Sequence, residues 1–243
     1  MEVLKSMESI TRAIIIAAGE GRRLRPLTEQ IPKPLVKVNG VRIIDTSIQA
    51  LKQNGIHSIY IVTGYKKEQF EELYQDDPDI TILVNPDYQK GNNITSMYVA
   101  RDYLPNSFVV EGDIMIRDPE LFRPSIDCSS YCMTWMQDVP VPEWAVRLKD
   151  GYVSSCKING GRNAFRLYGI SMWTREDGLR LGKMIREYME NGEDRSIYWD
   201  EIALRLQLQQ FKLGVRQISD QDVFEIDTLQ ELATLDPGYR SWL

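Results

Sequence analysis

Residues 13–23, Ala-Ile-Ile-Ile-Ala-Ala-Gly-Glu-Gly-Arg-Arg, decide the fold class of this chain. The first six are apolar and rich in isoleucine, which is typical of a strand buried on both faces, as in a parallel sheet. The glycines that follow let backbone N–H groups approach a ligand without a Cβ in the way. The stretch therefore predicts a central strand that leads directly into a ligand-binding loop.

Strand and helix patterns alternate after this loop. The predicted helices cover residues 43–53, 67–74 and 93–103, and the predicted strands cover residues 56–63, 80–84 and 107–110. Such alternation is typical of an α/β protein with a mostly parallel sheet.

The pattern changes in the second half of the chain. Four strand-like segments follow one another without helices, over residues 131–136, 144–148, 152–158 and 165–173. Asp150-Gly151 between two of them is a two-residue hairpin signal, which indicates antiparallel pairing. Helices are predicted over residues 175–190 and 198–209, a strand over 212–216, and a final strand and helix over 223–235. The predicted fold is α/β, with a Rossmann-like, mixed, mostly parallel sheet flanked by helices and a small antiparallel insertion.

Composition and charge exclude several classes of function. The chain has 243 residues and a formal net charge of −6. Binding to a nucleic acid depends on neutralising many phosphates with cationic side chains. Because the chain is acidic, no nucleic-acid partner is expected. The longest apolar run, residues 13–18, is too short to cross a bilayer. We therefore expect a cytoplasmic protein without membrane insertion. The single histidine, His57, lies in no Ser/His/Asp context, so a hydrolase triad is not expected.

The loop after the first strand is basic. Five cations fall within sixteen residues: Arg22, Arg23, Arg25, Lys33 and Lys37. Arginine offers a bidentate fork to phosphate oxygens and lysine a compact charge, so a small phosphate ligand is favoured over a solvated turn. The loop is not a dinucleotide-binding fingerprint, because Leu24 occupies the position of its third small residue. It is not a Walker loop either, because no Gly-Lys-Ser/Thr follows at the required spacing.

Two aspartates lie at the ends of strand-like segments. Asp113 follows residues 107–110, and Asp227 ends the segment Val-Phe-Glu-Ile-Asp at residues 223–227. Ligands of open α/β sheets gather beyond the carboxyl ends of strands, and Mg²⁺ prefers one or two carboxylates plus substrate phosphates. Spacing alone leaves open a capping role for Asp227 at the next helix.

Aromatic side chains are concentrated in the second half. Trp144 follows Glu143, Trp173 ends a strand, and Tyr198-Trp199-Asp200 opens a predicted helix. Aromatic faces attract quaternary ammonium ions, and choline recognition is a recurring use of this attraction. The alternative is that these rings belong to the hydrophobic core.

Together with Pro32-Lys33-Pro34-Leu35, the basic loop resembles the signature of the nucleotidyltransferases that build NDP-sugars and related activated phosphates. The resemblance implies that Gly19, Gly21 and Arg23 hold a triphosphate and that Lys33 reaches the reacting phosphates. It also implies Mg²⁺ as a cofactor, held by Asp113 and Asp227.

Further motifs resemble the bacterial CTP:phosphocholine cytidylyltransferases, over residues 13–235. They are Asn92-Asn93-x-x-Ser96-x-Tyr98, Glu143-Trp144, Tyr198-Trp199-Asp200 and Glu225-Ile226-Asp227. Glu111 and the cysteine-containing stretch before Trp135 depart from the pattern. The resemblance implies a CTP-dependent cytidylyltransferase that forms CDP-choline and pyrophosphate. It implies one domain over residues 1–243, with a nucleotide-binding part near 13–118 and an acceptor-binding part near 119–243.

The resemblance assigns the site residue by residue. The nucleotide-binding candidates are Ala17, Ala18, Gly19, Gly21, Arg23, Gly64, Asn92 and Ser96; the catalytic candidates are Lys33 and Arg23; and the acceptor-binding candidates are Glu143, Trp144, Trp173, Tyr198, Trp199 and Asp200. Other acceptors stay open, namely 2-aminoethylphosphonate, phosphoethanolamine or a sugar 1-phosphate. A non-catalytic nucleotide-binding regulatory module on the same fold is a further alternative.

Overall fold

The computed structural model describes residues 7–242. In that range the strands are β1 Glu8–Ser9, β2 Arg12–Ala17, β3 Lys37–Val38, β4 Val41–Arg42, β5 Ile59–Thr63, β6 Ile80–Val84, β7 Ser107–Glu111, β8 Ile114–Ile116, β9 Ser125–Ile126, β10 Ser130–Val141, β11 Ala145–Lys149, β12 Tyr152–Lys157, β13 Gly161–Trp173, β14 Gly214–Gln217 and β15 Val223–Glu225. The α-helices are α1 Ile43–Gln53, α2 Lys67–Tyr74, α3 Ile94–Ala100, α4 Arg175–Glu190 and α5 Leu229–Leu235.

Nine strands form one mixed sheet. Its path runs β12-β11-β13-β7-β2-β5-β6, with β10 paired to β13 and β14 paired to β10. Strand β2 lies parallel to both β5 and β7, and β5 lies parallel to β6, whereas β13 enters antiparallel to β7. The predicted fold class is therefore confirmed, with the antiparallel part built from β10 to β13.

Strand β2 separates two layers of the core. Ala13 and Ile15 pack with the cluster that contains α1, while Ile14 and Ile16 pack with the cluster that contains α3 and α4. This explains the uninterrupted apolar run, because a strand covered by helices on both faces has no solvent side. The carboxyl ends of β2, β5 and β7 meet at one edge, where a ligand of an open α/β sheet binds.

A third, smaller cluster supports the loop after β2. Leu24 and Val36 from this loop region pack against Ile226 and Leu229 near the C-terminal end. Because Leu24 and Val36 flank Arg23 and Lys33, and Ile226 precedes Asp227, burial of this cluster joins two distant parts of the chain at one place.

Residues 198–209 do not form the predicted α-helix. They contain a short π-helical turn, Ile202–Leu206, followed by a 3-10 turn, Leu208–Gln210. Ile202, Ala203 and Leu204 are all buried. A surface α-helix buries residues on one face, at spacings of three and four, and does not bury three consecutive residues. The π-helical turn, which has more residues per turn, fits this packing better.

Several short strands were not predicted. Strands β1, β3, β4, β8 and β9 have two or three residues each, too few to leave a periodic pattern. Among residues 7–242, none of the helices combines the length and the apolar character that crossing a membrane requires.

Candidate active site

A cleft of about 770 Å³ opens where strands β2 and β7 end. Its size suits a nucleotide together with a small second ligand. The predicted residues that line it are Ala17, Ala18, Gly19, Gly21, Arg23, Lys33, Asn92, Ser96, Asp113, Glu143, Trp144, Tyr198, Asp200 and Asp227. Gly64, Trp173 and Trp199 are not among the lining residues.

Gly21 shapes the loop that follows β2. Its φ of 61° lies in the left-handed region, and a Cβ there would sit 2.8 Å from the Cβ of Lys33. The hydroxyl of Thr28 donates to the carbonyl of Gly21 at 2.9 Å, which fixes the fold of the loop. Glycine is therefore needed for both the backbone conformation and the close approach of Lys33.

Lys33 bridges the two predicted aspartates. Its Nζ donates to Asp113 Oδ2 at 2.7 Å and to Asp227 Oδ1 at 2.8 Å, and its side chain is only 8% exposed. Arg23 Nη2 donates to the same Asp227 oxygen at 2.6 Å. Burial lowers the pKa of Lys33, but Asp113 and Asp227 outweigh it, so the pKa lies above its ordinary value. Lys33 is therefore a permanent cation at the centre of the cleft.

The pairing of two short strands places Asp113 beside Asp227. Strand β15 runs antiparallel to β8, with Glu225 opposite Ile114, and the N–H of Ile226 donates to the carbonyl of Asp113. Asp227 does not cap α5, because Thr228 accepts from the Glu231 N–H in a capping box. The carboxylate of Asp227 is therefore directed to the cleft.

Ser96 is held at the floor of the cleft by a buried asparagine. The Asn85 side-chain amide donates to the hydroxyls of Thr95 and Ser96, both at 3.0 Å. Gly64 contributes indirectly, since a Cβ there would lie 2.7 Å from the ring of Tyr88, and Tyr88 lines the cleft.

Two of the predicted aromatic rings line the cleft and contact each other. Trp144 and Tyr198 pack edge to face with ring centroids 5.6 Å apart, and Tyr198 is 43% exposed. Trp173 and Trp199 are fully or almost fully buried, at 0% and 2% exposure, and pack against each other in the core. The structure therefore brings two of the four predicted rings to the cleft, and the core interpretation fits the other two.

Comparisons with known proteins identify the family. The sequence profile described as Nucleotidyl transferase matches residues 12–127. The 2-aminoethylphosphonate cytidylyltransferase of Lancefieldella rimae is 34% identical over 240 residues, 94% of this chain and 93% of that protein. The choline-phosphate cytidylyltransferase of Streptococcus pneumoniae is 32% identical over 225 residues, 93% of this chain and 96% of that protein. This chain belongs to the nucleotidyltransferase family.

A solved structure supports the same assignment across the whole fold. The CTP:phosphocholine cytidylyltransferase from Streptococcus pneumoniae superposes with a TM-score of 0.84 at 31% identity, covering 94% of this chain and 99% of that one. The chain is therefore an enzyme that transfers a nucleotidyl group, and its substrates are a nucleotide and a phosphorylated small molecule.

The donor set of this nucleotidyltransferase is suited to a metal ion that also binds its substrate. Asp113 and Asp227 both approach one cation, Lys33 Nζ. Residues 7–242 contain no group of three or more His, Cys, Asp or Glu side chains that could hold a metal alone. A divalent ion here would complete its shell with substrate phosphates, which is the usual mode for Mg²⁺.

The cleft of the nucleotidyltransferase also contains carboxylates that were not predicted as site residues. Glu111 and Glu225 line it, each two positions before one of the paired aspartates. Burial, Asp113 and Asp200 raise the pKa of Glu111 well above its ordinary value. Burial, Asp113 and Asp227 raise the pKa of Glu225 to about 7. The positions of Glu111 and Glu225 at the ends of β7 and β15 were a signal, because ligands of open α/β sheets gather beyond the carboxyl ends of strands.

Asp200 is a further carboxyl group that lines the cleft. Its side chain is almost fully buried, and burial raises its pKa to about 7, against the lowering effect of the Tyr131 hydroxyl. Glu143 is exposed and also lines the cleft. Acidic side chains therefore line the same cleft as the two aromatic rings, and this combination favours a cationic ligand.

Proposed function

We propose that this nucleotidyltransferase joins CTP and phosphocholine to give CDP-choline and pyrophosphate. One observation carries the proposal: a single cleft connects the Lys33–Asp113–Asp227 cluster to the Trp144–Tyr198 pair. The first group suits a triphosphate and the second suits an ammonium ion. The streptococcal relative named choline-phosphate cytidylyltransferase supports the same pair of substrates.

The reaction is an in-line displacement at the α-phosphorus of CTP. A phosphate oxygen of the acceptor forms the new P–O bond, the bond between the α-phosphorus and the bridging oxygen breaks, and that oxygen leaves with pyrophosphate. The attacking oxygen is already anionic, so no general base is needed, which agrees with the absence of histidine from the cleft lining.

Lys33 and Arg23 are the proposed catalytic residues. Their charges offset the repulsion between two anionic reactants and stabilise the charge that develops on the leaving group. Asp113 and Asp227 are the proposed ligands of Mg²⁺, which supplies further charge neutralisation when it is bound. Both aspartates already hold a cation in this structure, namely Lys33, and this supports their assignment.

The nucleotide and the acceptor are proposed to occupy different parts of one domain over residues 1–243. The nucleotide-binding part, near residues 13–118, supplies Gly19, Gly21 and Ser96 to the cleft. The acceptor-binding part, near residues 119–243, supplies Trp144 and Asp200. The match of the family profile to residues 12–127 supports this division.

A primary-amine acceptor is the second candidate, and a specific observation favours it. Two of the four predicted aromatic rings, Trp144 and Tyr198, line the cleft, and four carboxyl groups line it with them: Glu111, Glu143, Asp200 and Glu225. A primary ammonium donates hydrogen bonds to carboxylates, which a trimethylammonium group cannot do. The relative from Lancefieldella rimae, named 2-aminoethylphosphonate cytidylyltransferase, supports the same alternative.

The test is pyrophosphate release from CTP and Mg²⁺ with phosphocholine, phosphoethanolamine and 2-aminoethylphosphonate compared at equal concentration. A higher kcat/KM with phosphocholine supports the first candidate. A preference for either primary amine supports the second. No release with any of the three, while glucose 1-phosphate is used, contradicts both.

A further inference from the structure

The segment that carries the acceptor-binding side chains has little regular structure of its own. Residues 191–199 form no helix or strand, and only the π-helical turn Ile202–Leu206 follows. Within this segment Tyr198 and Asp200 line the cleft, while Trp199 points into the core. Something outside the segment must fix these alternating directions.

The anchor is the loop at the start of α3. The N–H of Asn92 donates to the carbonyl of Arg195 at 2.7 Å, and the Asn92 side-chain amide donates to the carbonyl of Ser196 at 3.2 Å. A Cβ at Gly91 would lie 2.5 Å from the Arg195 carbonyl oxygen, so the two backbones are in close contact. The segment is therefore docked on residues 91–93.

Asn93 makes the contact nearest to the acceptor-binding side chains. Its Oδ1 accepts from the backbone N–H of Trp199 at 3.0 Å, and its Nδ2 donates to Glu111 Oε1 at 2.9 Å. The orientation of the amide follows from the partners. A backbone N–H can only donate, so the oxygen of Asn93 faces Trp199 and its nitrogen faces Glu111.

The position of Glu111 is itself built into the sheet. Gly169 lies on the neighbouring strand β13, and a Cβ there would sit 2.5 Å from the Cγ of Glu111. Glycine at this position leaves the space that the Glu111 side chain occupies. Glu111 is thus held at the end of β7, where it can orient the Asn93 amide.

We propose that Asn93, oriented by Glu111, is a positioning residue that sets Tyr198 and Asp200 against the nucleotide-binding helix α3. Its two hydrogen bonds connect the two parts of the cleft, because Asn93 and Glu111 precede residue 118 and Trp199 follows it. The expected effect on acceptor binding rests on the proposed function. The expected effect on hydrogen exchange at the Trp199 amide does not depend on it.

Two variants test the bridge. Asn93→Leu has nearly the same size but neither donor nor acceptor. The double variant Asn93→Asp with Glu111→Gln keeps an acceptor for the Trp199 N–H at position 93 and exchanges donor and acceptor in the bond between positions 93 and 111. It also keeps the number of carboxyl groups. Asn163→Asp is the matched control, since its exposed Oδ1 accepts from the Asp138 N–H and is retained.

The first readout is hydrogen exchange of the peptide that contains the Trp199 amide, measured without substrates. We expect Asn93→Leu to exchange about tenfold faster, the effect of one lost hydrogen bond, and the double variant and the control to match the parent chain. Unchanged exchange in Asn93→Leu, or no restoration in the double variant, overturns the bridge. This readout stands even if the parent chain uses none of the three amine acceptors.

The second readout separates positioning from general stability. With the preferred acceptor, Asn93→Leu should raise the acceptor KM about tenfold while the CTP KM changes less than about threefold. Equal rises in both KM values, or an unchanged acceptor KM alongside faster exchange, overturn the positioning role.

Discussion

Replacing Asp200 by asparagine should stabilise the fold at alkaline pH while weakening acceptor binding. The Asp200 side chain is 8% exposed, and burial raises its pKa from 3.8 to about 7. The folded state therefore holds a proton that the unfolded state has released between about pH 4 and pH 7. Stability is lost as the pH rises through this window, and the full cost applies above it.

The pKa difference sets the size of the effect. A rise of about three pKa units at about 1.4 kcal/mol each corresponds to about 4 kcal/mol lost between pH 4 and pH 8. Asparagine cannot ionise, so the Asp200→Asn variant should gain up to about 4 kcal/mol relative to the parent chain over that range. At pH 8 the same change removes a carboxylate from the acceptor end of the cleft, so the acceptor KM should rise.

Urea unfolding at half-unit intervals from pH 4.5 to pH 9 measures the first effect. The control is Asp150→Asn, the same substitution at an exposed position in the two-residue turn between β11 and β12. A stability difference between the Asp200→Asn variant and the parent chain that does not change with pH would refute the argument. It would mean that Asp200 is ionised in the folded state at no cost.

Three further substitutions test the site. Asp113→Ala should lower pyrophosphate release at least about 100-fold, because it removes a proposed metal ligand; retained turnover with unchanged Mg²⁺ dependence would exclude that role. Trp144→Ala should raise the choline-substrate KM by the equivalent of about 0.5 to 2 kcal/mol and leave the CTP KM nearly unchanged; a lower melting temperature alone would return Trp144 to a packing role. Gly21→Ala should cost about 1 to 2 kcal/mol of stability at its left-handed φ, and the displaced Lys33 should also lower kcat. Gly151→Ala, at a φ of 81° and with no neighbour within 4 Å of its Cβ, is the control with backbone strain only.

Local patterns predicted the regular elements well. The bounds of α1, α2, α4 and β6 agree with the predicted residues, because each has a clear apolar period and a marked end. The segment after residue 198 differs because tertiary burial of Ile202, Ala203 and Leu204 overrides the helical pattern. Helix propensity is a local property and does not report which residues tertiary packing buries.

The meeting of Asp113 and Asp227 was beyond local patterns. It depends on pairing between β8 and β15, which have three residues each and lie more than 100 positions apart. The family resemblance predicted that Asp113 and Asp227 act together, and the β8–β15 pairing explains why they lie side by side. The sequence also did not indicate which tryptophans face the cleft and which face the core. The indole N–H of Trp173 donates to the Ser171 hydroxyl inside the core, a contact that composition does not reveal.

The carboxylates of the cleft connect stability to substrate choice. Glu111 ends β7 and Glu225 ends β15, and Asp113 and Asp227 each follow two positions later, so the β8–β15 pairing gathers four acidic groups in one cleft. Lys33 and Arg166 neutralise part of this charge permanently, at 2.7 Å from Asp113 and 3.5 Å from Glu225. The remainder destabilises the free protein, and an acceptor cation relieves it on binding. A primary ammonium relieves it by hydrogen bonds, whereas a trimethylammonium group does so at longer range and gains from the faces of Trp144 and Tyr198. The balance between these two contributions, and not the fold, decides which amine this nucleotidyltransferase prefers.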